Sequence, residues 1–180
     1  MSFEREGYLV AACDEWEKYA YKGLNSVVPW DQAAYERGFN DPLVFTDLGE
    51  FDLLPSEGIA RDLLNEFSTI RAPKSMALLY ARLVIDTSPA PLSRPDLGFL
   101  GYDVAARGRP FYSIVLDHHT NPGPVTKAIL ASRNEHGLFG DLKAARQYLP
   151  ANLAEGLFID CDPEDLAIWE VYIVRGEGSP

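Results

Sequence analysis

Apolar residues recur along this chain with two different periods, and the switch between them predicts the order of its elements. From Leu9, the residues Leu9, Ala12, Cys13, Trp16 and Ala20 fall three or four apart with charged residues between them. That spacing predicts an amphipathic helix to about Lys22, stopped by Gly23. Trp30 to Arg37 reads as a short second helix before Gly38, and Asn40-Asp41-Pro42 breaks the chain. Leu43 to Leu48 suggests a brief strand. Ser56 is placed to cap a firmer helix with Glu57 in its first turn and Ile59, Leu63, Leu64 and Phe67 on one face.

Beyond that helix the pattern turns strand-like. Met76 to Asp86 is apolar and ends in Leu-Val-Ile, which predicts a buried strand, with a helix as the alternative. Pro89, Pro91 and Pro95 impose an extended connector. Phe99 to Val104 and Phe111 to Leu116 flank a polar turn containing Gly108 and read as an antiparallel hairpin. Asn121-Pro-Gly-Pro124 is a loop, and Asp141 is placed to cap a helix through Leu149 that Pro150 ends. Leu157 to Ile159 and Leu166 to Val174 are the last strands, with Ile168, Glu170, Tyr172 and Val174 on one face of the final one.

The expectation is an α+β fold: an antiparallel sheet with N-terminal helices and a helix before the closing strand. At 180 residues, one domain is expected, with a helical portion over 1–72 and a sheet-rich portion over 76–175. A hydrophobic fraction of 47% supplies an ample core. No window approaches the roughly 20 apolar residues that span a bilayer. The first residues lack the basic-then-apolar order of a signal peptide, so a cytoplasmic location is expected.

Charge changes the picture more than composition does. Acidic residues number 27 against 16 basic ones, a formal net charge of −11. Such a surface repels nucleic acid and anionic membranes and attracts basic proteins. Neither nucleic acid nor membrane is therefore an expected partner. Arg107 and Arg109, the local basic cluster, read as an exposed turn. Cys13 and Cys161 lie far apart without a paired motif and read as buried small side chains, and the carboxylates flanking Cys161 argue against an activated thiol.

Two strings invite chemistry. Asp117-His118-His119 follows a predicted strand, and an Asp-His-His string at a strand end serves one class of metal-dependent phosphoesterase. Adjacent strand residues point to opposite faces, however, and His136 is the only other histidine, so a polar strand end is the favoured reading. A small metal-dependent hydrolase using these three residues is the alternative function. Asp160-Cys-Asp162-Pro-Glu164-Asp165 opens like a calcium loop, but the loop's sixth and twelfth positions would be Asp165 and Val171 instead of glycine and glutamate. What is left is either a solvated loop or an anionic patch for a basic partner. There is no nucleophile elbow, no phosphate loop and no dinucleotide fingerprint, so neither catalysis nor a cofactor is expected. Asp103 stands out mildly, because aspartate is unfavourable inside a strand unless it is exposed or hydrogen-bonded.

Three segments occur in order: Leu100-Gly-Tyr-Asp-Val104 leading into Phe111-Tyr-Ser-Ile-Val115, then Asn134-Glu-His-Gly-Leu-Phe139, then Trp169-Glu-Val-Tyr-Ile173. Over about the C-terminal half of this chain, they resemble the pattern of small bacterial immunity-type proteins that neutralise toxins of interbacterial competition. The resemblance implies a non-enzymatic binding protein whose partner is a cognate protein toxin with a basic cleft. The candidate contact residues are then the acids Asp47, Glu50, Asp52, Asp160, Asp162, Glu164 and Asp165.

Overall fold

The computed structural model describes residues 6–12, 25–26, 53–54, 56–70, 76–85, 92–106, 114–115, 122–155 and 162–175. They form an α+β fold built on one antiparallel sheet. In chain order the elements are β1 (Glu6–Ala12), β2 (Asn25–Ser26), α1 (Glu57–Ile70), β3 (Met76–Leu83), β4 (Leu97–Ala106), α2 (Pro124–Leu130), α3 (Leu142–Ala154), a single 3-10 turn (Pro163–Asp165) and β5 (Leu166–Val174). The sheet order is β2-β1-β3-β5-β4, so the last strand in sequence lies between β3 and β4.

The first helix predicted by spacing is corrected at its start: residues 9–12 belong to β1. Leu9 pairs with Leu79 and Tyr8 with Tyr80, in an unbroken seven-residue register between β1 and β3. Local spacing loses here to a partner about seventy residues away, whose ladder runs the whole length of the segment. The remainder of that helix, the second helix at 30–37 and the strand at 43–48 lie outside the described residues, as does the strand at 157–159. Gly7 is required where Leu53 and Leu54 approach β1, since a Cβ there would lie 2.6 Å from Leu53 Cβ.

Helix α1 starts as expected. Ser56 Oγ accepts from the Ile59 amide at 3.3 Å, and Arg61 Nε donates to Glu57 Oε1 at 2.8 Å one turn on. Its Ile59, Ala60 and Leu64 pack with Leu54, Leu78, Tyr80, Tyr172 and Val174 on one sheet face. Segment 76–83 is a strand, which removes the helical alternative for it. Helix α3 begins at the predicted cap, where Asp141 accepts from the Ala144 amide at 2.9 Å.

Pro150 does not end α3; the helix continues to Ala154 with the proline exposed inside it. The residues after it have reasons to stay helical. Buried Asn152 donates to the Tyr148 hydroxyl at 3.2 Å, and Tyr148 in turn donates to the Ile114 carbonyl at 3.0 Å. Glu155, just past the helix, serves α2. That helix has no side-chain cap of its own, and Glu155 accepts from the Val125 and Thr126 amides at 2.8 and 3.2 Å. The short α2 was not predicted, because its first turn carries no capping residue.

The sheet face under the helices is banded, because antiparallel register brings like residues opposite one another. One row runs Tyr8, Tyr80, Tyr172, Phe99 across four strands, with neighbouring ring centroids 5.1, 6.2 and 5.3 Å apart. The next row runs Glu6, Arg82, Glu170, Tyr102. Beyond it Val84, Val104, Leu166 and Ile168 join Ala145, Tyr148 and Phe139 in the cluster under α3. The opposite face buries Leu9, Leu79, Ala81, Trp169 and Val171.

Candidate functional site

The acidic turn before β5 is the part of the predicted contact surface that the described residues contain. Asp162 accepts from the Glu164 amide at 3.2 Å, and the Asp165 amide donates to the Asp162 carbonyl at 2.9 Å. The aspartate therefore closes the turn by its own side chain, which is the common behaviour of Asp ahead of a proline-led turn. Asp162, Glu164 and Asp165 are all exposed. The turn thus presents three carboxylates to solvent at one end of the sheet, held by backbone hydrogen bonds. Asp47, Glu50, Asp52 and Asp160 lie outside the described residues. So do Asp117, His118 and His119 of the alternative metal site.

Among the described residues, no group of three His, Cys, Asp or Glu side chains is placed to hold a metal ion. No helix of the described residues is long and apolar enough to cross a membrane. His136 sits in the loop 134–139, where its backbone amide donates to Asn134 Oδ1 at 3.0 Å.

That loop gives a physical meaning to two of the segments singled out from the sequence. Asn134 Oδ1 also accepts from the Leu138 amide at 3.2 Å, while its Nδ2 donates to the Leu100 carbonyl at 2.7 Å. The side chain therefore holds its own turn closed and ties the turn to β4. Gly137, with φ of 77°, supplies the left-handed residue that the turn needs. Phe139 then pairs with Tyr102 by two backbone bonds of 2.8 and 2.9 Å, covering the outer edge of β4. The register of β4 shifts between Phe99 and Gly101 at this contact. Gly101-Tyr-Asp-Val104 and Asn134-x-x-Gly-Leu-Phe139 are thus two halves of one scaffold joint. Of the predicted hairpin arm, residues 114 and 115 are described, and the Ile114 amide donates to the Val104 carbonyl at 3.0 Å.

Asp103, flagged for its place inside a strand, is fully buried and accepts from the Val104 amide at 2.8 Å. The larger buried charge was missed. Glu170 is 0% exposed in the middle of β5. Its Oε2 receives Arg82 Nε at 2.7 Å, Arg82 Nη2 at 2.5 Å and the Tyr172 hydroxyl at 2.8 Å. Oε1 is buried with no hydrogen-bond partner. The signal available in the sequence was a glutamate alternating with Ile168 and Tyr172 on the face expected to be buried.

The Tyr172 hydroxyl also accepts from the Leu92 amide at 2.9 Å, fastening the proline-rich connector to the sheet. Burial, with the neighbouring Glu170 carboxylate adding to it, pushes the Tyr172 phenol up to about 12 from its usual 10.0. The unfolded chain therefore releases this proton first, and folding holds it. Stability from this group is complete below about pH 10 and is lost as pH rises toward about 12. Urea unfolding across that window is expected to show a steeper alkaline loss for the native protein than for Tyr172→Phe. Equal slopes would contradict the assignment.

Comparison with protein-family models, with curated proteins and with solved structures finds no match to this chain. The functional reading therefore rests on the residues themselves.

Proposed function

We propose that this is a binding protein that neutralises a cognate bacterial protein toxin by presenting an acidic surface to the toxin's basic cleft. The observation that carries this reading is charge: 27 acidic residues stand against 16 basic ones. Part of that excess is displayed at one place, where Asp162, Glu164 and Asp165 all face solvent on a self-closed turn. Inhibition of this kind needs no reacting group. It needs a rigid scaffold, a complementary field that steers the partner in, and a contact surface. The joint between β4 and the Asn134 loop supports the scaffold requirement.

The test is to express the tagged protein in its source organism and identify what co-purifies at moderate salt. A stoichiometric partner with a basic cleft and a toxic activity that this protein abolishes is the expected result. Association should slow by about tenfold or more when salt is raised from low to several hundred millimolar, because ions screen steering between exposed charges. A partner bound at a rate indifferent to salt would remove the acidic-surface reading.

A further inference from the structure

Residues 92–96, leading into β4, are strapped onto the tyrosine row of the sheet. The Leu92 amide donates to the Tyr172 hydroxyl at 2.9 Å, and the Arg94 guanidinium carbon sits over the Tyr80 ring, 5.7 Å from its centroid. Other groups gather around that guanidinium. Within the strap, Asp96 accepts from Arg94 Nε at 3.2 Å and also from Nη2. Arg94 is hydrogen-bonded to Tyr8 of β1 as well. At the start of α1, Glu57 Oε2 lies 4.0 Å from Arg94 Nη2, while its Oε1 is taken by Arg61 Nε at 2.8 Å. Glu6, exposed at the start of β1, accepts from the Tyr80 hydroxyl at 2.6 Å. The Arg94 side chain is 37% exposed and that of Glu57 32%, so the slot opens to solvent. Two tyrosine rings and two carboxylates from β1, β3 and α1 thus form a slot suited to a planar cation, and the chain's own arginine fills it.

We infer that this slot is a docking site for an arginine side chain of a partner protein, with Arg94 as a placeholder that the incoming arginine displaces. The present occupant shows which chemistry the slot accepts. A guanidinium can stack on a ring and fork to carboxylate at the same time, which an ammonium cannot. Displacement is favoured by where the counterion sits. Asp96 is on the strap, so Arg94 leaves together with its own carboxylate, and what it gives up at Glu57 is an exposed contact at 4.0 Å that contributes little. What remains is Glu6, Glu57 Oε2 and the ring face, without a cation among them from the strap. A second arginine restores the balance. Self-occupancy lowers the partner's apparent affinity in proportion to the time the strap is closed. The inference rests on the toxin-binding reading only in taking the partner to be basic.

The test titrates a blocked tripeptide, acetyl-Gly-Arg-Gly-amide, and its citrulline counterpart into the full chain, followed by NMR of the tyrosine rings. Arg94→Ala is expected to bind the arginine peptide at least tenfold more tightly than the native chain does, with shifts at Tyr8 and Tyr80. The citrulline peptide, of the same shape without the charge, should bind neither protein. Glu57→Gln added to Arg94→Ala should cancel most of the gain. Arg94→Lys, a weaker placeholder that keeps the strap's charge, should show a smaller gain, which guards against a folding defect in Arg94→Ala. Equal affinity of the native chain and both Arg94 variants, or equal binding of the citrulline peptide, would overturn the inference. In a purified toxin complex, Arg94→Ala should tighten binding. A complex that Arg94→Ala leaves unchanged would overturn the slot and leave the toxin reading standing. The expected peptide results in a protein that captures no toxin would uphold the slot and remove the toxin reading.

Discussion

Gly101→Ala is expected to destabilise the protein by roughly 3 kcal/mol or more, from backbone strain and overpacking together. Gly101 has φ of 151°, a conformation that side chains with a Cβ rarely adopt. The added carbon would also lie 2.7 Å from Leu138 Cβ and 2.9 Å from the Phe139 carbonyl oxygen, both held in place by the Asn134 loop. Neither neighbour is the loose end of a flexible side chain, so relief requires pulling the loop from β4. Gly140→Ala is the control, because a Cβ there meets nothing within 4 Å. It should change stability by less than about 0.5 kcal/mol, the usual range for an unobstructed surface position. Urea midpoints of the two variants decide the matter. Similar midpoints would mean that the two segments do not depend on close approach.

Arg82→Met should cost about 3–5 kcal/mol, since it strands a fully buried carboxylate without its cation. The guanidinium meets Glu170 through Oε2, by Nε and Nη2, and the other carboxylate oxygen is buried with no hydrogen-bond partner. Arg82→Met combined with Glu170→Leu is expected to recover most of that loss, because the penalty belongs to the unpaired charge and not to the absence of the pair. About 1 kcal/mol should remain, for the Tyr172 hydroxyl loses its acceptor. A double-mutant cycle measures this directly. Additive losses would show that Glu170 draws its stabilisation from elsewhere than Arg82.

Both predictions concern residues whose roles depend on distant partners, and that divides what sequence could tell from what it could not. Helix α1 was legible because Ser56, Glu57 and the face beginning at Ile59 all act within one or two turns. Strands β4 and β5 were legible because apolar alternation on them is local, although β4 begins two residues earlier than predicted, at Leu97. β1 was misread because Leu9 and Ala12 fit a helical period equally well, and only pairing with β3 decides between the two. Pro150 misled for the opposite reason: its local rule is sound, and burial of Tyr148 and Asn152 overrides it. Arg82 and Glu170 are 88 residues apart, so no window contains both. Of the acids proposed as contacts, Asp162, Glu164 and Asp165 are solvent-facing as their composition suggested.

The position of β5 sets the order in which this molecule can be made. The strand that joins β3 to β4 comprises residues 166–174, so a ribosome must deliver everything before it while the middle of the sheet is missing. At about 5–20 residues per second, a nascent chain spends several seconds between finishing β3 and receiving the strand that completes it. During that wait β3 has β1 on one edge and an open row of amides and carbonyls on the other. Arg82 has been synthesised by then and its carboxylate partner has not. The closing event is therefore late and nonlocal, and until it occurs β3 keeps one edge open to the wrong strand.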